Sequence, residues 1–288
     1  MLAIFKRELR SYFCSMTGYI FVTAVLIFTG IYFMGNNLMM GIPYFAYTVA
    51  NSLLIYIIVV PILTMRSFAE ERHSKTDQLL LTSPASVASI VMGKYLAMMA
   101  VYAIPLAVLC VCPLIISTAG SAYLLGDYMA IFCMLSIGAM FVSIGMFISS
   151  LTENQIIAAV ITIITLLLIY MWDNLIAFLP VTAMGSLIAS FVIFALVVLC
   201  VWLFSRNSII TIALGAAGVI ALTACYCISP DLFENLIPNL LGAFSINTVL
   251  YNFCSYFVFD LGGIFMCLSV AAMFIFLTVQ TIQKRRWS

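Results

Sequence analysis

Apolar residues run along this chain in long blocks separated by short polar stretches. Eight blocks are long enough to cross a bilayer, at about 18–34, 46–65, 91–118, 127–148, 156–178, 183–204, 208–228 and 261–282. A helix of ~20 apolar residues spans the hydrocarbon core, and a backbone in lipid must satisfy its own polar groups. The pattern therefore predicts an all-α polytopic membrane protein with about eight transmembrane helices. The first block is at the short limit. The third is long enough to tilt, and Pro105 and Pro113 should kink it. Blocks six and seven, 183–228, read either as two full spans or as a shallower hairpin around Arg206.

Two segments break the alternation. In residues 1–17, Leu2, Phe5, Leu9, Tyr12, Phe13 and Met16 fall on one side of a helical wheel, opposite Arg7, Glu8, Arg10 and Ser11. Such a stripe predicts an amphipathic helix lying in the membrane interface before the first span. Residues 229–260 are too apolar for a solvated loop and are interrupted by Pro230 and Pro238. Phe233, Leu236, Ile237, Leu240 and Leu241 keep helical spacing there. This segment is expected to lie in the interface or to re-enter the bilayer against other helices.

Composition sharpens the picture. Two thirds of the residues (66%) are apolar and 7% are charged, against about a quarter charged in a soluble domain. With eight spans, all eleven lysines and arginines sort to one face. Lys6, Arg7 and Arg10 precede the first span; Arg66, Arg72, Lys75 and Lys94 lie between the second and third; Arg206 lies between the sixth and seventh; Lys284, Arg285 and Arg286 follow the last. The positive-inside rule makes that face cytoplasmic, with both termini on it. The other face holds Asp127, Asp173, Asp231, Glu234 and Asp260, of which Asp127, Asp173 and Asp260 sit at span ends where a carboxylate is cheap. Seven of the nine cysteines lie inside apolar runs and read as small hydrophobes. Cys110 and Cys112, and Cys225 and Cys227, point about 200° apart on a helix and share no metal.

Several chemistries are missing. No ionisable group lies near the centre of a span, which argues against a carrier driven by protons or sodium. One histidine cannot build an intramembrane metalloprotease. His73 is cytoplasmic and no lysine is expected to be buried, so a serine protease lacks its base. Gly93-Lys94 is followed by Tyr95 and has no phosphate-cradling loop. The chain is not expected to hydrolyse ATP, to bind a cofactor or metal, or to recognise nucleic acid. Met34, Met39 and Met40 read as span filler rather than a soft-metal path.

Between Arg66 and Asp77 stands a dense island of both signs: Arg66, Glu70, Glu71, Arg72, His73, Lys75 and Asp77. Glu71 and Lys75 have the favourable i, i+4 order. Leu79, Leu80 and Leu81 follow as an apolar knob. Ser83 and Pro84 look like an N-cap and first helical position. Spacing alone leaves two readings, a structured elbow or a solvated loop. In the next cytoplasmic loop, Thr152 and Gln155 fit a capping box with Glu153 in the first turn. That loop reads either as a tight turn or as a second contact surface.

The stretch FAEERHSKTDQLLLTSP resembles the cytoplasmic loop of bacterial ABC transporter type-2 permeases, in the branch that includes gliding-motility permeases. MLAIFKRELRSYF, IGMFISSLTENQIIAAV at 144–160 and FLTVQTIQKRRWS at 276–288 agree with it. The resemblance implies a six-span core with an interfacial N-terminal helix, to which the pair near 183–228 is an addition. It implies a multi-pass protein of the bacterial cytoplasmic membrane, acting as an exporter permease with a second or related permease copy. A cytoplasmic ATPase subunit would carry ATP and magnesium. The loop after the second span is similar to the coupling helix that touches that ATPase. Arg66, Arg72, Lys75 and Leu79–Leu81 would face the ATPase, while Glu70 and Glu71 would pair with Lys6, Arg7 or Arg10. The whole chain, 1–288, would form one permease domain, with 66–86 as the coupling elbow. A non-transporting scaffold and an ion-driven carrier are the rival readings.

Overall fold

The computed structural model describes residues 1–76, 86–120, 122–179, 181–188 and 234–287, with a few single positions between 190 and 223. The elements among the described residues are all helices and form two compact units, Met1–Tyr170 with Ile246–Ser288, and Met171–Ser245.

In the first unit, α1 covers Leu2–Cys14 and α2 covers Met16–Tyr32, continuing through a π-helical turn, Phe33–Met39. Then come α3 (Phe45–Thr64), α4 (Arg66–His73), α5 (Val87–Leu109) and α6 (Cys112–Ala119). They are followed by α7 (Leu124–Leu151), α8 (Gln155–Tyr170), α11 (Ile246–Cys254) and α12 (Leu261–Trp287). The second unit holds α9 (Trp172–Ile176) and α10 (Leu236–Gly242). There the Trp172 indole N–H donates to the Leu241 carbonyl at 2.9 Å.

Five helical stretches among the described residues are long and apolar enough to cross a membrane: Met16–Met39, Phe45–His73, Val87–Thr118, Leu124–Leu151 and Leu261–Arg285. They are five of the eight expected. The expected span at 156–178 is shorter in the structure. Its helix stops at Tyr170 after 16 residues, about 24 Å at 1.5 Å per residue. Of the pair at 183–204 and 208–228, only 183–188 and a few single positions are described, and Phe233 and Ser83 with Pro84 lie outside the described residues. The kink at Pro113 takes the form of a break at Cys110–Val111, with Pro113 in the first turn of α6, where its missing N–H costs nothing. Pro105 sits inside α5.

Helix α7 is the centre of the first unit and packs against α3, α5, α8, α11 and α12. Two glycines make this possible. A β-carbon at Gly138 would collide with the Tyr102 ring, and one at Gly145 with the Thr64 side chain. Between helices in a membrane, close backbone approach replaces the hydrophobic drive of water. The buried tyrosines of α5 then hydrogen-bond into α7: Tyr102 donates to the Met134 carbonyl at 3.0 Å and Tyr95 to the Ala139 carbonyl at 3.2 Å.

At one end of this unit the turns are pinned by buried polar groups. The Asn37 amide donates to the Ile42 and Tyr44 carbonyls and accepts from the Thr48 hydroxyl. Asp127 is fully buried, not at a cheap exposed span end, because its carboxylate caps α3: the Ala46 N–H donates to it at 2.8 Å. Asp260 caps α12 by accepting from the Gly263 N–H (3.0 Å) and also accepts from Asn252 (2.9 Å). These bonds hold its carboxyl below the usual aspartate range.

Candidate functional site

The charged island sits at the opposite end, and its geometry begins with one hydroxyl. Ser149, near the end of α7, accepts from the Phe68 and Ala69 N–H groups at 3.1 Å each and donates to the Met65 carbonyl at 3.0 Å. The Ala69 N–H and Met65 carbonyl would otherwise bond each other in a continuous helix. The hydroxyl is inserted into that ladder where α3 gives way to α4, at Met65. Arg72 adds a second tie. It donates to the Ser150 carbonyl at 3.2 Å and pairs with Glu153 at 2.7 Å. Helix α4 is thus fastened to the end of α7 at both its first and last turns.

The other side of α4 meets a partly buried ion cluster. Lys94 on α5 is 2% exposed. Its ammonium lies 2.8 Å from Glu71, 3.3 Å from Glu8 and 2.9 Å from the Ser67 carbonyl, with the Phe68 ring centroid at 5.1 Å. Arg7 closes the set, 2.6 Å from Glu8 and 3.4 Å from Glu71. Its hydrogen bond to Glu8 raises the Arg7 pKa, so this cation stays charged. Two cations and two carboxylates balance one another, and the remaining ammonium donor goes to a carbonyl, the condition under which buried charge is tolerated. The cluster joins α1, α4 and α5. Helix α1 is held further by Tyr12, whose hydroxyl donates to the Leu63 carbonyl at 3.2 Å, and by Ile4 against Gly93.

Several expectations change here. Lys94 is buried, although no lysine was expected to be; Gly93-Lys94 serves packing and ion pairing. Glu8 turns inward to Lys94 instead of lying on a solvent face, and Leu2 and Met16 of the apolar stripe are exposed. Glu71 meets Arg7, but Glu70 pairs with Arg66 on its own helix at 2.7 Å; Lys6 and Arg10 are exposed. Lys75 does not pair with Glu71, because α4 ends at His73. Lys75 stands beyond it at φ 56° in a Schellman turn, with Thr76 N–H to Glu71 O at 2.9 Å and Lys75 N–H to Arg72 O at 3.1 Å. The capping box at 152–155 does not form. Thr152 is extended and its hydroxyl donates back to Ile148 O; Asn154 caps α8, accepting from the Ile156 N–H at 2.9 Å. Gln155 is the first residue of α8, and Glu153 is left for Arg72. Helix α5 is capped by Ser86, whose hydroxyl accepts from the Ser89 N–H at 3.3 Å. Leu79, Leu80 and Leu81 lie outside the described residues.

Residues 27–189, more than half of the chain, match the family model described as ABC-2 family transporter protein. The chain belongs to this family. Its members are membrane components of ABC transporters, so the chain is an integral, multi-pass permease. No curated protein and no solved structure matches. Within this ABC-2 permease the matched residues include α4, Lys94, Ser149 and the Arg72–Glu153 pair, whereas Arg7 and Glu8 precede them. Sequence reasoning passed over Lys94, Glu8 and Ser149. The signal for Lys94 was present, as a single cation inside the apolar run of α5. Nothing marked Ser149 among its serine neighbours.

Proposed function

We propose that this permease is the membrane subunit of an ATP-driven exporter, energised by a separate cytoplasmic ATPase that bears on α4 and the segment after it. The observation that most supports this reading is the fastening of α4. The helix is held by Ser149 at its junction with α3, tied to α7 by Arg72, and joined to α1 and α5 through Glu71 and Lys94. Pressure on so short an element passes to four longer ones through these ties. On this reading Arg66, Lys75 and Leu79–Leu81 present the ATPase contact, with Thr152, Glu153 and Gln155 beside it, and ATP and magnesium stay on the partner. The α4 end is cytoplasmic, both termini lie there, and α1 with Lys6 and Arg10 rests in the inner interface of the bacterial cytoplasmic membrane. On the far side of the first unit, α11 caps the path ahead of the last span, and a second permease copy completes that path.

The test is reconstitution with the ATPase that co-purifies with the chain. ATP hydrolysis should depend on the permease, and Glu71→Lys should abolish that dependence. Hydrolysis indifferent to the permease would refute the reading.

A further inference from the structure

At the end of the first unit away from α4, a cavity of about 230 Å³ opens between α3, α8 and α11. Polar groups dominate its lining: Tyr47 and Asn51 from α3, Tyr170 from α8, Asn247 and Tyr251 from α11, and Ser255 just after it. No charged side chain lines it. Asn247 spends one amide N–H on the Tyr170 carbonyl at 2.9 Å. The side chains of Tyr47, Asn51, Tyr251 and Ser255 make no hydrogen bond with any described residue. Asn51 is the most telling. It lies six residues into α3, about 9 Å along the helix from Phe45, in a stretch long and apolar enough to cross the membrane. Asn51 is exposed on the face of α3 that opens into the cavity, so its amide is free to bind a ligand there, and polar groups within spanning helices mark ligand paths.

The same face of α3 continues as Leu54 and Ile58, both exposed (41% and 47%). Tyr47, Asn51, Leu54 and Ile58 follow i, i+4, i+7, i+11 and form one stripe. A polar, uncharged cavity rimmed by tyrosine rings therefore leads directly onto an apolar strip. Aromatic faces receive the C–H side of a sugar ring, amides and phenols bind its hydroxyls, and the lack of charge disfavours ionic headgroups. The cavity is smaller than the roughly 300–1,000 Å³ of sites that take whole drug-sized ligands. It suits a headgroup, with a chain left outside.

We propose that this cavity binds the neutral, hydroxylated headgroup of a glycolipid-like amphiphile, whose chain lies along Leu54 and Ile58. That such an amphiphile is the cargo rests on the exporter reading; that it binds does not.

The experiment is saturation-transfer NMR on the full chain in phosphatidylcholine nanodiscs, with octyl β-glucoside below its micellar concentration as the probe. Saturation is expected on the sugar ring protons as well as the octyl chain. Asn51→Leu should weaken glucoside binding about tenfold, and Tyr47→Phe, which keeps the ring, by less. Both positions are exposed, so the fold should tolerate both changes. A choline-headed octyl amphiphile should bind markedly less well. Equal binding of the two headgroups, binding unchanged in Asn51→Leu, or no ring saturation would overturn the proposal. So would a cavity filled by a second copy, seen as Asn51→Leu shifting the monomer–dimer ratio without any ring saturation in the wild type. Glucoside binding in a complex whose ATP hydrolysis ignores the permease would leave the site standing and remove only its role in export.

Discussion

Lys94 shows how much one side chain can carry. It is the buried cation between two carboxylates from two other helices, and those carboxylates are themselves largely shielded, at 14% and 18% side-chain exposure. Removing one partner of a buried pair leaves the other charge uncompensated, at a cost of about 3–5 kcal/mol. Lys94→Met should therefore lower the unfolding midpoint of the reconstituted protein sharply. Lys94→Met combined with Glu71→Gln should recover much of the loss. Asp260 gives a prediction in pH. Its folded pKa is depressed by the Gly263 and Asn252 bonds. Its contribution is fully present above the unfolded value, ~3.9, and is lost as pH falls through the lower folded one. The stability gap between wild type and Asp260→Asn should be flat near neutrality and close only below about pH 4, as followed by thermal unfolding across pH.

Among the elements, α4 depends on contacts made by its neighbours. Ser149→Ala would strand the Phe68 N–H and let Met65 and Ala69 bond directly, closing the break between α3 and α4. A loss of about 1–3 kcal/mol is expected from the unpaired group. A spin-label distance between α4 and α1 should lengthen, and an unchanged distance would show that the break at Met65 has another cause. Lys75 occupies a left-handed position that favours glycine, so Lys75→Gly should raise stability by up to about 1 kcal/mol. Gly138→Ala should cost about 1–3 kcal/mol through the Tyr102 ring. The long helices were legible because twenty apolar residues in a row admit few other folds, and even the Pro113 interruption could be placed. The capping box was misread because Thr152 and Asn154 both suit an N-cap, and only the extended backbone at Thr152 decides between them. The break between α3 and α4 was invisible because the residue that holds it, Ser149, lies 80 residues away from Ala69 and resembles any other small residue of α7.

At the scale of the whole molecule, the sorting of charge along the chain pointed to the junction before any geometry did. Arg66, Glu70, Glu71 and Arg72 stood out as an island, and the structure places all four on α4. What the sequence could not reveal was the pairing: Glu70 with Arg66, Glu71 with Lys94 and Arg7, Arg72 with Glu153. Partner choice depends on which helix ends converge, and charge spacing within one loop says nothing about the neighbours. The central claim is that α4 transmits the ATPase stroke to the spanning helices through these ties. It is tested most directly by permease-dependent ATP hydrolysis in the reconstituted complex, compared among wild type, Arg72→Glu, and Arg72→Glu with Glu153→Arg. The account predicts that the single reversal loses most of the permease-dependent rate and that the double reversal restores at least half of it. A single reversal that hydrolyses ATP like the wild type, with the complex still assembled, would contradict it.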